Sequence, residues 1–149
     1  MANRGRARMA NITLDEVQEI CQEALPWALD MGMAVEEIAE GTCRVRLPYR
    51  EQFVRPGGTV AGPMLMGLAD FAMYVAVLSA IGRVELAVTT NLTCNFLRRP
   101  KPVDVIGEAR LLKLGQRLAY GEVSLFSEGE TDNGPVAHVT STYSIPPRR

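Results

Sequence analysis

Asp70 stands out among the residues of this chain that could do chemistry, because of what surrounds it. It is the one ionisable side chain of consequence in an apolar run of 20 residues, Gly62–Ile81, which reads GPMLMGLADFAMYVAVLSAI. A carboxylate inside an apolar helix must be paired, protonated or functional, because burying its bare charge is prohibitive. Such a group could serve as a base or a nucleophile. The run opens on Gly62-Pro63, which places Gly62 in the N-cap region and Pro63 at the first helical position. The first turn would then present free N–H groups and a positive dipole end to a carbonyl oxygen or an anion. A third candidate is Thr90, the hydroxyl on the alternating face Leu86, Val88, Thr90, Leu92, Cys94, Phe96, which is expected to face the helix.

Distance constrains how these groups can cooperate. Gly62 and Asp70 are eight residues apart, or about 12 Å along a helix. A reacting carbon needs its attacking group and its oxyanion donors within about 3 Å. If both residues act, the start of one helix meets the middle of another, and the site forms between two subunits. Dimerisation is thus expected from the chemistry alone.

The elements that must hold these groups follow from patterning. Thr13-Leu14-Asp15-Glu16 reads as a capping box, followed by apolar residues at helical spacing to about Pro26. Two short runs around Glu40-Gly41 read as a hairpin, its second strand alternating Cys43, Val45 and Leu47 against Thr42, Arg44 and Arg46. Prolines and glycines between Pro48 and Gly58 mark a loop. Alternating runs at roughly 85–97, 103–114, 117–127 and 136–145 give four more strands, with Gly115-Gln116 as a type II′ turn. The result is an α+β domain over 13–149, one antiparallel sheet wrapped around a long central helix, with a short N-terminal helix. Residues 1–12, carrying Arg4, Arg6 and Arg8, are expected as a flexible basic arm. The apolar run also has the length of a membrane span. A central aspartate costs about 2.5 to 3.5 kcal/mol on insertion and strands surround the run, so a buried core helix is expected.

Composition excludes more than it proposes. The 149 residues hold 16 basic and 17 acidic side chains, giving a net charge of −1, so nucleic acid is not an expected partner. There is 1 histidine, His138, and 3 cysteines, Cys21, Cys43 and Cys94, with no C-x-x-C pair. Catalysis built on two histidines is out, no metal is expected, and dispersed cysteines suggest a reducing cytoplasm. His138 lies in the last strand and reads as structural. The cations Arg98, Arg99 and Lys101 form a tight group, either a solvated face or an anion site at a strand end.

With these residues in view, the chain resembles the hotdog-fold acyl-CoA thioesterases of the PaaI-like branch, over about 32–145. Gly58-Thr59-Val60-Ala61-Gly62-Pro63 followed by Leu68-Ala69-Asp70-Phe71-Ala72 is similar to the family's G-T-x-H-G-G…L-x-D-x-A. Thr90, then Asn95-Phe96-Leu97-Arg98-Arg99-Pro100, is similar to its next strand, and Lys113-Leu114-Gly115-Gln116-Arg117 to a later hairpin. The resemblance implies a thioester hydrolase in which Asp70 is general base or nucleophile, the Gly62 N–H binds the thioester oxygen and Thr90 helps orient water. It also implies a homodimer, often within a tetramer, with coenzyme A entering only as part of the acyl-CoA substrate and no further cofactor. Arg98, Arg99, Lys101 and Arg117 would hold the CoA phosphates, and Met64, Met66, Leu68, Phe71 and Tyr74 are candidate lining for the acyl group. Three positions depart from the pattern. Ala61 replaces the motif histidine, Pro63 the second glycine and Arg55 an upstream asparagine. They leave open an alternative, a non-hydrolytic hotdog protein that binds an acyl-CoA or a small acid, with Arg55 meeting a carboxylate.

Overall fold

The computed structural model describes residues 7–148. Thr13 caps the first helix, α1 (Leu14–Ala24), its hydroxyl accepting from the Glu16 N–H at 3.1 Å. The Leu25-Pro26 step ends α1 and starts a separate short helix, α2 (Pro26–Asp30), because the residue before a proline is pushed out of the helical region. The expected hairpin follows as β1 (Ala34–Ala39) and β2 (Thr42–Leu47). The loop after it holds a small ribbon, β3 (Val54–Arg55) with β4 (Thr59–Val60). Then come the long helix α3 (Gly62–Ile81) and the strands β5 (Val88–Phe96), β6 (Val105–Leu114), β7 (Leu118–Ser127) and β8 (Ala137–Ser144).

Six strands form one antiparallel sheet in the order β1-β2-β6-β7-β8-β5. The sheet curls around α3, whose residues from Phe71 to Ser79 are all buried. This is a core helix, as its composition required. Its far end is tied down by polar groups. Ser79 donates to the Ala76 carbonyl and accepts from the Gly41 N–H, and Asn11 donates to the Ser79 and Ala80 carbonyls. The Asn11 bonds satisfy carbonyls that a helix end leaves unpaired. They also narrow the expected arm. Arg4 and Arg6 lie outside the described residues, whereas the Arg8 carbonyl accepts from Glu40 N–H and Ile12 is buried.

Small residues let helix and sheet approach. Along the inward face of β6 and β7 stand Gly107, Ala109, Ala119 and Gly121. A Cβ added at Gly121 would lie 2.7 Å from the Arg110 carbonyl oxygen and 2.8 Å from Met73 Cε. The tight turn expected at Gly115-Gln116 sits one residue further on and is not type II′, because neither Gln116 nor Arg117 has the positive φ that type requires. Gly115 N–H donates to the Leu118 carbonyl at 2.8 Å, so Gln116 and Arg117 are the central residues, and Gly115 keeps a negative φ. Cys43 faces the core, donating to the Ala72 carbonyl, and burial pushes its thiol up to about 12. It therefore carries no thiolate for chemistry at neutral pH.

Gly121→Ala forces a methyl against backbone and is expected to destabilise the protein by about 1–3 kcal/mol. Urea unfolding should show a lower midpoint at an unchanged slope.

Candidate active site

Asp70 lies on α3 where the helix passes under the β5 side of the sheet, and two hydroxyls converge on it. Thr89 Oγ1 donates to Asp70 Oδ1 at 2.6 Å, and Tyr143 Oη donates to the same oxygen at 2.8 Å. Tyr143 Oη is also 3.0 Å from the Asp70 carbonyl oxygen. Thr89 and Tyr143 are cross-strand partners in the β5–β8 ladder, so both side chains leave the sheet on its inner face side by side. Among the described residues no group donates to Asp70 Oδ2. One oxygen is therefore anchored and the other free to react.

Thr90 does not take the place expected of it. The β5–β8 register shifts between Thr89 and Asn91, leaving Thr90 as the bulged residue. One extra residue inverts the alternation on either side of it. Beyond the bulge Leu92, Cys94 and Phe96 face inward as read, but before it the inward residue is Thr89. Thr90 is exposed and donates to the Thr142 carbonyl at 3.2 Å. Tyr143 was open to detection, since it shares the inward alternation of Ala137, Val139 and Ile145 and carries a hydroxyl.

Burial holds the Tyr143 phenol well above its usual range, and the neighbouring Asp70 charge pushes the same way. Tyr143 thus acts as a donor rather than an acid or base near neutrality. Burial also pushes Tyr74 up to about 12, with Glu85 adding to the effect.

The start of α3 forms the second half of the site. Ala61 is the N-cap and Gly62 the first helical residue, one position earlier than expected. Met64 and Leu65 N–H groups both donate to the Ala61 carbonyl, and Pro63 has no N–H. The Gly62 N–H finds no acceptor among the described residues. The first turn therefore offers one free backbone donor, not several. It opens on a cavity of about 430 Å³ whose walls include Arg55, Arg98, Arg99, Phe96 and Pro100.

The structure gathers Arg55, Gly62, Arg98 and Arg99 in that cavity, with Ala61 and Pro63 adjoining them in the chain. Lys101 turns aside, its Nζ 3.4 Å from Glu130 Oε1. Arg117 lies at the Asp70 end of the sheet, donating from Nε to the Ile145 carbonyl. His138 is on the outer face of the sheet, 2.9 Å from Glu122 Oε2. Of the residues considered for an acyl pocket, Leu68, Phe71 and Tyr74 are core, while Met66 is exposed and Met64 half-buried. Among the described residues no three His, Cys, Asp or Glu are grouped to hold a metal.

The two buried phenols give a test with a definite sign. Below about pH 10 the folded and unfolded chains both keep these protons, and the stabilisation is whole. As the pH rises toward the folded value of about 12 for Tyr74 and beyond, the unfolded chain releases protons the folded chain retains, and stability falls. Phenolate absorbance is expected to show Tyr74 and Tyr143 still protonated at about pH 11 in the folded protein, ionising fully on unfolding. Early ionisation of both in a folded protein would contradict the packing described.

Comparison with known proteins bears on this geometry. The family model described as Thioesterase superfamily matches residues 57–133, which hold the Gly62 motif, Asp70 and Thr89. A crystal structure from Silicibacter sp. TM1040 carrying a thioesterase assignment is 42% identical, with a TM-score of 0.82, covering 95% of this chain and 97% of that one. A mutant of phenylacetic acid degradation protein PaaI from Thermus thermophilus is 27% identical, with a TM-score of 0.71, covering 81% of this chain and 99% of that one. A Halobacterium salinarum protein carrying an esterase assignment is 31% identical over 106 residues, 68% of this chain and 70% of that protein. With its sheet wrapped about α3 and these similarities across most of its length, the chain belongs to the thioesterase superfamily and has the hotdog fold.

Proposed function

We propose that this protein is an acyl-CoA thioesterase whose site is completed between two copies of the chain. The observation that carries the proposal is the pairing of a half-anchored carboxylate, Asp70, with one free backbone donor, Gly62 N–H, on the same apolar helix at a separation of about 12 Å. Neither half can reach the other's substrate atom within one chain.

The open edge of the sheet supports a two-fold solution. β5 is a terminal strand of 9 residues whose outer edge has no partner among the described residues. At and just beyond its two ends, Leu86, Val88, Phe96 and Leu97 are exposed at 80%, 57%, 54% and 54%. Thr90, Asn91, Thr93 and Asn95 between them are exposed and polar, but an open strand edge flanked by apolar side chains is a liability that proteins normally cover. Pairing β5 with its own copy in antiparallel fashion lays the Thr89 end of one strand beside the Phe96 end of the other. Asp70 then approaches the second chain's Gly62, and Arg117 approaches the second chain's Arg55, Arg98 and Arg99. Four guanidinium groups around one cleft suit the phosphates of coenzyme A.

In this reading Asp70 Oδ2 removes a proton from water as the water attacks the thioester carbonyl, or attacks that carbon itself to form a mixed anhydride, which water then hydrolyses, freeing the carboxylate and a proton. The Gly62 N–H receives the developing oxyanion, aided by the positive end of α3. The CoA thiolate leaves and takes up the proton. Ala61 and Arg55 favour a second reading. With no histidine beside Gly62, the cleft has fewer donors for the oxyanion, and a protein that binds acyl-CoA without cleaving it is the alternative.

Thiol release from acetyl-, benzoyl- and palmitoyl-CoA separates the two. Turnover that falls by about 10²-fold or more in Asp70→Asn is expected. Calorimetric binding of CoA thioesters with no turnover in the native chain would decide for the binding protein.

A further inference from the structure

We propose that Tyr143 is a positioning residue that fixes which carboxylate oxygen of Asp70 reacts; the inference rests on the hydrolytic reading above. A carboxylate on an exposed helix can turn about its side-chain bonds and exchange its two oxygens. Asp70 is prevented from doing so in an uncommon way, because one hydroxyl reaches both its backbone and its side chain. Tyr143 Oη stands 3.0 Å from the Asp70 carbonyl oxygen and 2.8 Å from Oδ1. Those two contacts span the rotatable bonds between main chain and carboxylate, so they select one rotamer.

Thr89 supplies the second donor to Oδ1, but from a less rigid place. It lies in β5 directly before the bulge at Thr90, where the pairing with β8 is interrupted. Tyr143 lies in β8, hydrogen-bonded on both sides, to β7 and to β5. The residue is 2% exposed, and its ring packs on Tyr74 with centroids 6.2 Å apart. The ring cannot move without disturbing the core, which makes it the fixed point of the trio. Raised by burial and by Asp70, its phenol keeps the proton it donates. With Oδ1 accepting from both hydroxyls, Oδ2 is left as the oxygen that faces substrate.

Tyr143→Phe keeps the ring and removes only this contact. With the fastest of acetyl-, benzoyl- and palmitoyl-CoA, kcat is expected to fall roughly 10- to 100-fold, since misplacing a catalytic group by about 1 Å costs about 10²-fold. KM should stay within about twofold, because no substrate contact is lost. In an Asp70→Asn background the same substitution should lower kcat no further, as groups acting through one another are not additive. Thermal unfolding confirms that the variants are folded. If Tyr143→Phe does not fold, 4-methylphenylalanine at this position fills the hydroxyl's space without a donor and is read the same way. An unchanged kcat in a folded Tyr143 variant, with Asp70→Asn strongly impaired, would overturn the positioning role and leave the hydrolytic reading intact. An unchanged kcat in Asp70→Asn, or no turnover of any of the three thioesters, would overturn both.

Discussion

A helix that is apolar on every side persists in water only when something covers every side, and that demand organises the whole molecule. Burying the run from Phe71 to Ser79 removes apolar surface worth roughly 1.5–3 kcal/mol for each large side chain. A single strand pair cannot cover a full helical circumference, so six strands curl about it. Glycine and alanine line the inner face of β6 and β7 because the helix must come close. Asn11 closes the far end of the helix, where the Ser79 and Ala80 carbonyls would otherwise lack partners.

The same demand locates the chemistry. A carboxylate is tolerated on such a helix only where the cover is incomplete and donors are at hand. Asp70 meets both conditions, lying toward the terminal strand and facing two hydroxyls from β5 and β8. The helix start meets the complementary condition, since its cap consumes two donors on the Ala61 carbonyl and proline removes a third. What remains is one N–H at the mouth of a cleft lined with arginine. The acid and the donor are thus produced by one element yet kept apart by its length.

Much of this was legible in the sequence, for reasons that differ from residue to residue. Asp70 and Gly62-Pro63 stood out because an acid, a glycine and a proline are conspicuous in an apolar run. The hairpin at Glu40-Gly41 and the strand faces of β2 follow from strict alternation. The helix-facing hydroxyl of β5 is Thr89 and not the expected Thr90 because a bulge changes the phase of the strand, and no residue type announces a bulge there. Tyr143 carries no such signal, because tyrosine suits a strand core and only the register with Thr89 shows where its hydroxyl points. Lys101 was grouped with Arg98 and Arg99 by proximity in sequence, whereas Glu130, far along the chain, draws it away.

Division of the site between two chains is the central claim, and subunit mixing tests it most directly. Asp70→Asn removes the carboxylate, and Gly62→Pro removes the N–H at a helical position where proline is tolerated. Each variant alone is expected to be nearly inactive. A mixed dimer would place both defects in one site and leave the other intact. Co-refolding equal amounts should therefore restore about a quarter of native activity, since about half of the dimers formed at random are mixed. A mixture as inactive as its components would contradict the account, since it would mean that Asp70 and Gly62 serve the same substrate from within one chain.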